Sequence, residues 1–180
     1  MTHAGRGSAW EHLIEMWGRR YERSGRAVLL RTPPPVRLLK AQPGGRWLAA
    51  ITSEGPPDYT MLIGRSSGAP LAVLAEAKDC QASRWSFKQL HHHQASKLDQ
   101  WHAIGGFACV LVGHQKTSTG YVLPWKNLAP VWRRWHAGQL IGRRASPGTA
   151  SLDAGGLSAL GHAWSFGDGF IQAMLESAES

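Results

Sequence analysis

Three residues carry the clearest chemistry in this sequence: Asp58, Glu76 and Lys78. Glu76 and Lys78 flank Ala77. Side chains alternate along an extended strand, so the acid and the amine share one face while Ala77 points away. They close an otherwise apolar run, LAVLAEAK, at residues 71–78. Such groups at a strand end are costly unless exposed, paired or bound to a metal. Asp58 opens the preceding run, DYTMLIG, and RSSGAP between the two reads as a turn. In a hairpin the start of one strand lies beside the end of the next. Asp58 and Glu76 then meet with about 5 Å between their β-carbons. Two carboxylates that close repel, which raises a pKa or recruits a cation. A hard divalent ion such as Mg²⁺ satisfies both, with Asp58, Glu76 and the main-chain carbonyl of Ala77 as ligands. Such an ion binds a phosphate oxygen and activates a water, while Lys78 orients that water or offsets developing negative charge. The triplet alone has a plainer reading, a salt bridge at a strand end.

These residues need elements to hold them. Trp10, Leu13, Ile14, Trp17 and Tyr21 recur at helical spacing, and Gly25 ends the run. Ser8 and Glu11 fit a capping box at its start, which accounts for Glu11 without catalysis. Residues 27–31 read as a strand, stopped by Pro33, Pro34 and Pro35. Residues 36–55 are mixed and basic, with a turn at Gly44-Gly45 and a second possible strand at 47–51; they read as a projecting excursion. The hairpin of 58–64 and 71–78 follows. A helix is expected over 87–104, with Leu90, Gln94, Leu98 and Trp101 on one face. Residues 107–112 form a nearly wholly apolar, central strand. A short strand at 121–123, a helix near 128–136, a Gly-, Ser- and Arg-rich loop over 142–161 and a helix near 170–176 complete the chain. The pattern predicts an α/β fold (α+β-like), a central mixed β-sheet flanked by helices, in a single domain over residues 1–180.

The chain has 180 residues, 43% hydrophobic and 18% charged, which excludes a disordered protein. Twenty Lys and Arg face twelve Asp and Glu, a formal net charge of +8. Such a surplus favours a polyanion, nucleic acid or an anionic membrane surface. No apolar run approaches the ~20 residues of a membrane span, and the N-terminus lacks a signal peptide's apolar stretch. The expectation is an intracellular, cytoplasmic protein. Cys80 and Cys109 form no CxxC pair, and Cys109 suits a buried core thiol.

From Gly5 to about Asp153 the sequence resembles the RecU-type Holliday junction resolvases of the PD-(D/E)XK nuclease superfamily. The stretches are RGSAWEHLIE, RTPPPV, GPPDY, LAEAK, HHHQASKLDQWHAIGGFACVLV and VWRRWHAGQLIGRR, in matching order and spacing. The resemblance implies a restriction-endonuclease-like core and a homodimer with two active sites. It also implies dependence on Mg²⁺ or Mn²⁺ and paired symmetric nicks in a four-way DNA junction, with no small-molecule substrate. It assigns Asp58, Glu76 and Lys78 as the catalytic set, Glu11 as an accessory acid and Gln94 as a neighbour of the site. The excursion at 36–55 corresponds to the family's stalk, which enters the junction's centre. The segment after Asp153 departs most. Two rival readings remain open: another PD-(D/E)XK nuclease of repair or restriction type, and a non-catalytic DNA-binding module.

DNA contacts are expected from Arg6, Arg19, Arg20, Arg37, Lys40, Arg46, His93, Arg133, Arg143 and Arg144, chiefly to phosphates. Arg23, Arg26 and Arg134 extend the basic patches. Trp47 beside Arg46 suits either of two roles, stacking on an unpaired base or filling a dimer interface. His91, His92 and His93 are consecutive. On a helix they point about 100° apart, so they cannot converge on one ion.

Overall fold

A computed structural model describes residues 4–141 and 149–180. Helix α1 (Ala4–Arg23) leads into strand β1 (Ala27–Arg31). Strands β2 (Val36–Gln42) and β3 (Arg46–Ile51) form a separate two-stranded hairpin. Then come β4 (Tyr59–Ile63), β5 (Leu71–Cys80), a short β6 (Trp85–Ser86), α2 (His92–Ala103), β7 (Phe107–His114) and β8 (Thr119–Pro124). Helix α3 (Trp125–Ile141), β9 (Ser151–Leu152), α4 (Ala154–Leu160), β10 (His162–Ser165) and α5 (Ile171–Glu179) complete the order.

The central sheet is mixed, as the sequence pattern predicts. Its order is β1-β4-β5-β7-β8-β10, and β5 with β7 is its parallel pair. A parallel pair needs a crossover, which α2 supplies. Helices cover both faces. On one, Trp10, Ile14, Trp17 and Tyr21 of α1 share a core with Phe170, Ile171 and Met174 at α5. On the other, Leu98 of α2, with Leu128 and Trp132 of α3 and Leu157 of α4, packs on Leu74, Val110 and Val112. Strand β7 lies under both layers, which explains its unbroken apolar sequence. Both cysteines are free and buried. Among the described residues no helix is long and apolar enough to cross a membrane.

Several expectations are corrected. Helix α1 begins at Ala4, so Ser8 lies within it and is no N-cap; Glu11 pairs instead with Arg31. The helix expected from 87 starts at His92. Phe87–Gln89 makes a 3₁₀ turn and Leu90 is extended. Burial of Phe87 and Leu90 turns the chain before the helix proper begins. Of the loop expected at 142–161, residues 142–148 lie outside the described residues and the remainder folds into β9 and α4. Strand β2 escapes sequence reading because a bulge between Leu38 and Lys40 breaks its alternation.

Strand β10 escapes it because its evidence is tertiary. Gly113 and Gly120 pair across β7 and β8. Their bare backbone makes room for the stacked rings of Trp10 and Trp164, 5.7 Å apart. A Cβ on Gly113 would lie 2.4 Å from the Trp10 ring, and one on Gly120 would lie 2.2 Å from the Trp164 ring. Gly120→Ala is therefore expected to destabilise by roughly 1–3 kcal/mol through overpacking. That is several degrees of Tm for a chain of this size. An unchanged thermal unfolding midpoint would mean that the indole layer yields freely.

Candidate active site

Strand β4 begins at Tyr59 because Pro56 and Pro57 precede Asp58 and have no N–H to give a ladder. The register pairs Tyr59 with Ala75. One step further sets Asp58 opposite Glu76, on the face that carries Leu74 and α2. The Asp58 main-chain carbonyl accepts from Thr32 N–H at 2.8 Å. Its side-chain Oδ2 accepts from Ala77 N–H at 2.9 Å. A carboxylate thus replaces the next ladder acceptor. Beyond it β5 runs on with no strand on that side, paired to β7 as far as Cys80. The N–H and C=O of one strand residue point to the same edge. The Ala77 carbonyl therefore shares the open edge with Asp58.

Glu76 is 1% exposed. Its Oε1 accepts from Lys78 Nζ at 2.6 Å and from Gln94 Nε2 at 2.6 Å. Its Oε2 is buried with no hydrogen-bond partner among the described residues. Burial pushes the Glu76 carboxyl up to about 7; the Lys78 ammonium opposes this and the Asp58 carboxylate adds to it. Gln94 binds the group together from the first turn of α2. Its Oε1 accepts from Lys78 Nζ at 3.1 Å and from His91 N–H at 3.0 Å, so one side chain caps the helix and holds the amine.

Asp58, Glu76, Ala77, Lys78 and Gln94 thus stand together, as the sequence and the resemblance suggest. The donor set fits a divalent cation. It offers two adjacent carboxylates, one with an orphaned buried oxygen, and a main-chain carbonyl on an open edge. Unpaired buried oxygens of this kind are expensive unless something binds them.

The other expected site residues make contacts of their own. Glu11 forms a 2.5 Å ion pair with Arg31, which also holds Glu15 at 2.7 Å, on the α1 side of the sheet. Among the described residues it makes no hydrogen bond to Asp58, Glu76 or Lys78. Arg31, at the end of β1 where the chain leaves for the hairpin, went unnoticed in the sequence because an isolated strand-end arginine carries no pattern. His93 is close to the site but committed, with Nδ1 3.0 Å from Glu54 at the hairpin's base. His91 and His93 stack, while His92 faces His136. Arg133 is paired with Asp99, which also accepts from Trp125 Nε1 at 2.5 Å. Arg19 lies 4.0 Å from Glu15, and Arg20 stands over the Trp17 ring. Arg37, Lys40, Arg46 and Trp47 are all exposed on the hairpin. Arg143, Arg144 and the side chain of Arg6 lie outside the described residues.

The sequence profile of the family described as RecU, Recombination protein U, matches residues 5–141. Over 138 residues the chain is also 26% identical to the Holliday junction resolvase RecU of Staphylococcus carnosus (strain TM300). That match covers 75% of this chain and 65% of the relative, so the chain spans about two thirds of the relative's length. Strands β9 and β10 and helices α4 and α5 lie beyond the residues matched by the family.

The raised Glu76 pKa has a thermodynamic consequence. The native state holds this proton more tightly than the unfolded chain does. Its contribution is complete below the ordinary carboxylate value near 4.5 and is lost as pH rises through about 7. Glu76→Gln keeps the acceptor for Lys78 and removes the titration. Without divalent metal it is expected to raise stability at pH 8 by roughly 1–3 kcal/mol and to change little at pH 4. Urea unfolding at the two pH values checks this; equal effects at both would place the proton elsewhere.

Proposed function

The chain belongs to the RecU family of recombination proteins, and from that premise we propose that it is a structure-selective endonuclease. It cuts four-way DNA junctions with paired symmetric nicks, as a homodimer that depends on Mg²⁺, with Mn²⁺ able to substitute. Residues 1–180 form one nuclease domain in this reading, and it acts in the cytoplasm on DNA. The observation that carries it is the orphaned oxygen of Glu76 beside Asp58 and the open edge at Ala77.

Asp58, Glu76 and the Ala77 carbonyl would hold the metal. When bound, a divalent cation supplies Lewis-acid polarisation of the scissile phosphate and a more acidic water. The remaining work falls to the chain. Lys78 is the one cation hydrogen-bonded within this cluster among the described residues. Its ammonium is placed to offset charge developing on the phosphate, and it needs no reorganisation to do so. Gln94 acts through Lys78 and Glu76 as a positioning residue, holding both in one rotamer. Glu11 enters through Arg31, which it anchors at the root of the hairpin. Basic side chains on the hairpin bind phosphates and position the junction without reading bases. The surplus of positive charge supports that role.

Asp58→Asn removes a ligand and leaves the basic surface intact. It is expected to abolish cleavage of a mobile four-way junction while retaining binding to it. It is also expected to lose the rise in Tm that Mg²⁺ gives the wild type, which follows from binding to the native state alone. Cutting at the wild-type rate would remove Asp58 from the chemistry. The same assay with linear duplex of equal sequence separates rivals: cutting of duplex indicates another PD-(D/E)XK nuclease, and tight binding without product in Mg²⁺ indicates a binding module. Junction affinity is expected to fall steeply with salt, because phosphate contacts release counterions. A flat response in a titration from 50 to 200 mM salt, roughly the range over which that loss is large, would count against backbone recognition.

A further inference from the structure

The end of the sheet remote from Glu76 holds a cavity of about 410 Å³. Strand β5 connects the two places. Leu71 lines the cavity, and Glu76 stands five residues on, about 17 Å away at the rise of a strand. Leu71, Phe107 and Pro124 give the cavity an apolar wall, drawn from the start of β5, the start of β7 and the end of β8. The volume falls within the roughly 300–1,000 Å³ of small-molecule sites, which combine such walls with a few polar groups.

The polar groups here are basic. Arg65 comes from the turn between β4 and β5, His102 from the last turn of α2 and Lys126 from the first turn of α3. No local pattern links them, and the fold alone brings them to one cavity. Elsewhere the chain pairs its cations: Arg31 with Glu11, Arg84 with Asp153 and Arg133 with Asp99. Among the described residues no Asp or Glu lines this cavity, and Arg65, His102 and Lys126 form no ion pair. A cleft lined by one sign of charge focuses the potential and concentrates counter-ions.

We propose that this cavity binds a nucleotide, with its phosphate monoester among Arg65, His102 and Lys126 and its flat base against Leu71, Phe107 and Pro124. A duplex is convex and its phosphates line the outside, so it passes over a concavity of this size without filling it. A single nucleotide enters. Its monoester carries close to two negative charges and three acceptor oxygens, enough for all three side chains. Arg65 offers a planar fork of donors, Lys126 a compact charge and His102 a ring N–H in either charge state. A free nucleotide and the 5′-phosphorylated end of a DNA strand present the same chemistry, and either is the source. The site is separate from the cluster at Asp58 and Glu76 and does not depend on the cleavage reading.

The full chain is titrated calorimetrically with deoxyadenosine 5′-monophosphate in metal-free buffer, with deoxyadenosine and inorganic phosphate as the two halves of the ligand. Arg65, His102 and Lys126 are all exposed, so substituting them leaves the core intact, and circular dichroism verifies that each variant folds. The nucleotide is expected to bind, and each half to bind at least tenfold more weakly. Arg65→Ala and Lys126→Ala are each expected to weaken the nucleotide roughly tenfold, the weight of one hydrogen bond to a charged group. Asp58→Asn is expected to bind it as the wild type does, which separates this cavity from the active site. A short single strand with a 5′-phosphate that displaces the nucleotide, where its 5′-hydroxyl twin does not, upholds the site and names strand ends as the source. Displacement by neither strand upholds it with free nucleotide as the source. Equal displacement by both strands overturns the inference, since the cations would then serve backbone phosphates. So does a nucleotide that fails to bind at millimolar concentration, that binds the alanine variants as tightly as the wild type, or that binds no better than inorganic phosphate.

Discussion

The hydrogen bond from Ala77 N–H to the Asp58 carboxylate organises this molecule. It is made where β4 has no main-chain partner left to offer, because two prolines stand in front of Asp58. A side-chain oxygen takes the place of a carbonyl, the ladder stops, and β5 continues alone on that side. Three consequences share this cause. Glu76 and Lys78 stand where β5 has no strand on its β4 side. The Ala77 carbonyl faces the same gap. The chain between Arg31 and Asp58 is released to build a hairpin whose root stands beside the site.

The electrostatics follow from depth. Glu76 lies on the apolar face that α2 covers, where an ionised carboxylate is poorly solvated. Lys78 and Gln94 offset part of that penalty through one oxygen and leave the other unsatisfied. Strain of this kind, held in place by a well-packed scaffold, is characteristic of sites that await a charged ligand. Two tertiary links tie the cluster to its scaffold. The crossover through α2 ties the cluster to the parallel pair β5 and β7. Asp99 joins α2 to α3 through Trp125 and Arg133.

The hairpin's register sorts its side chains, with Arg37, Lys40 and Arg46 on one face and Val36, Leu38, Trp47 and Ile51 on the other, and a single bulge keeps the two sets apart. The link from Glu54 to His93 fixes the root of that ribbon to the turn of α2 next to Gln94.

Much of this was legible in the sequence. Alternation alone places Glu76 and Lys78 on one face, and a short turn alone brings Asp58 opposite, since both are local consequences of strand geometry. The mixed sheet, the central position of β7 and the helical face of Trp10, Ile14, Trp17 and Tyr21 follow from periodicity in the same way. Other features were decided only by packing. The late start of α2, which delivers Gln94 to Lys78, depends on burying Phe87 and Leu90 in a core built by distant residues. The pairing of Glu11 with Arg31 joins residues 20 apart that no local pattern links. Strand β10 exists because Trp164 finds the bare backbone of Gly120. Which side of the hairpin each residue occupies turned on one bulge. Local alternation and turn chemistry are written in neighbouring residues; contacts between remote residues are settled only when the whole chain competes for the same buried space.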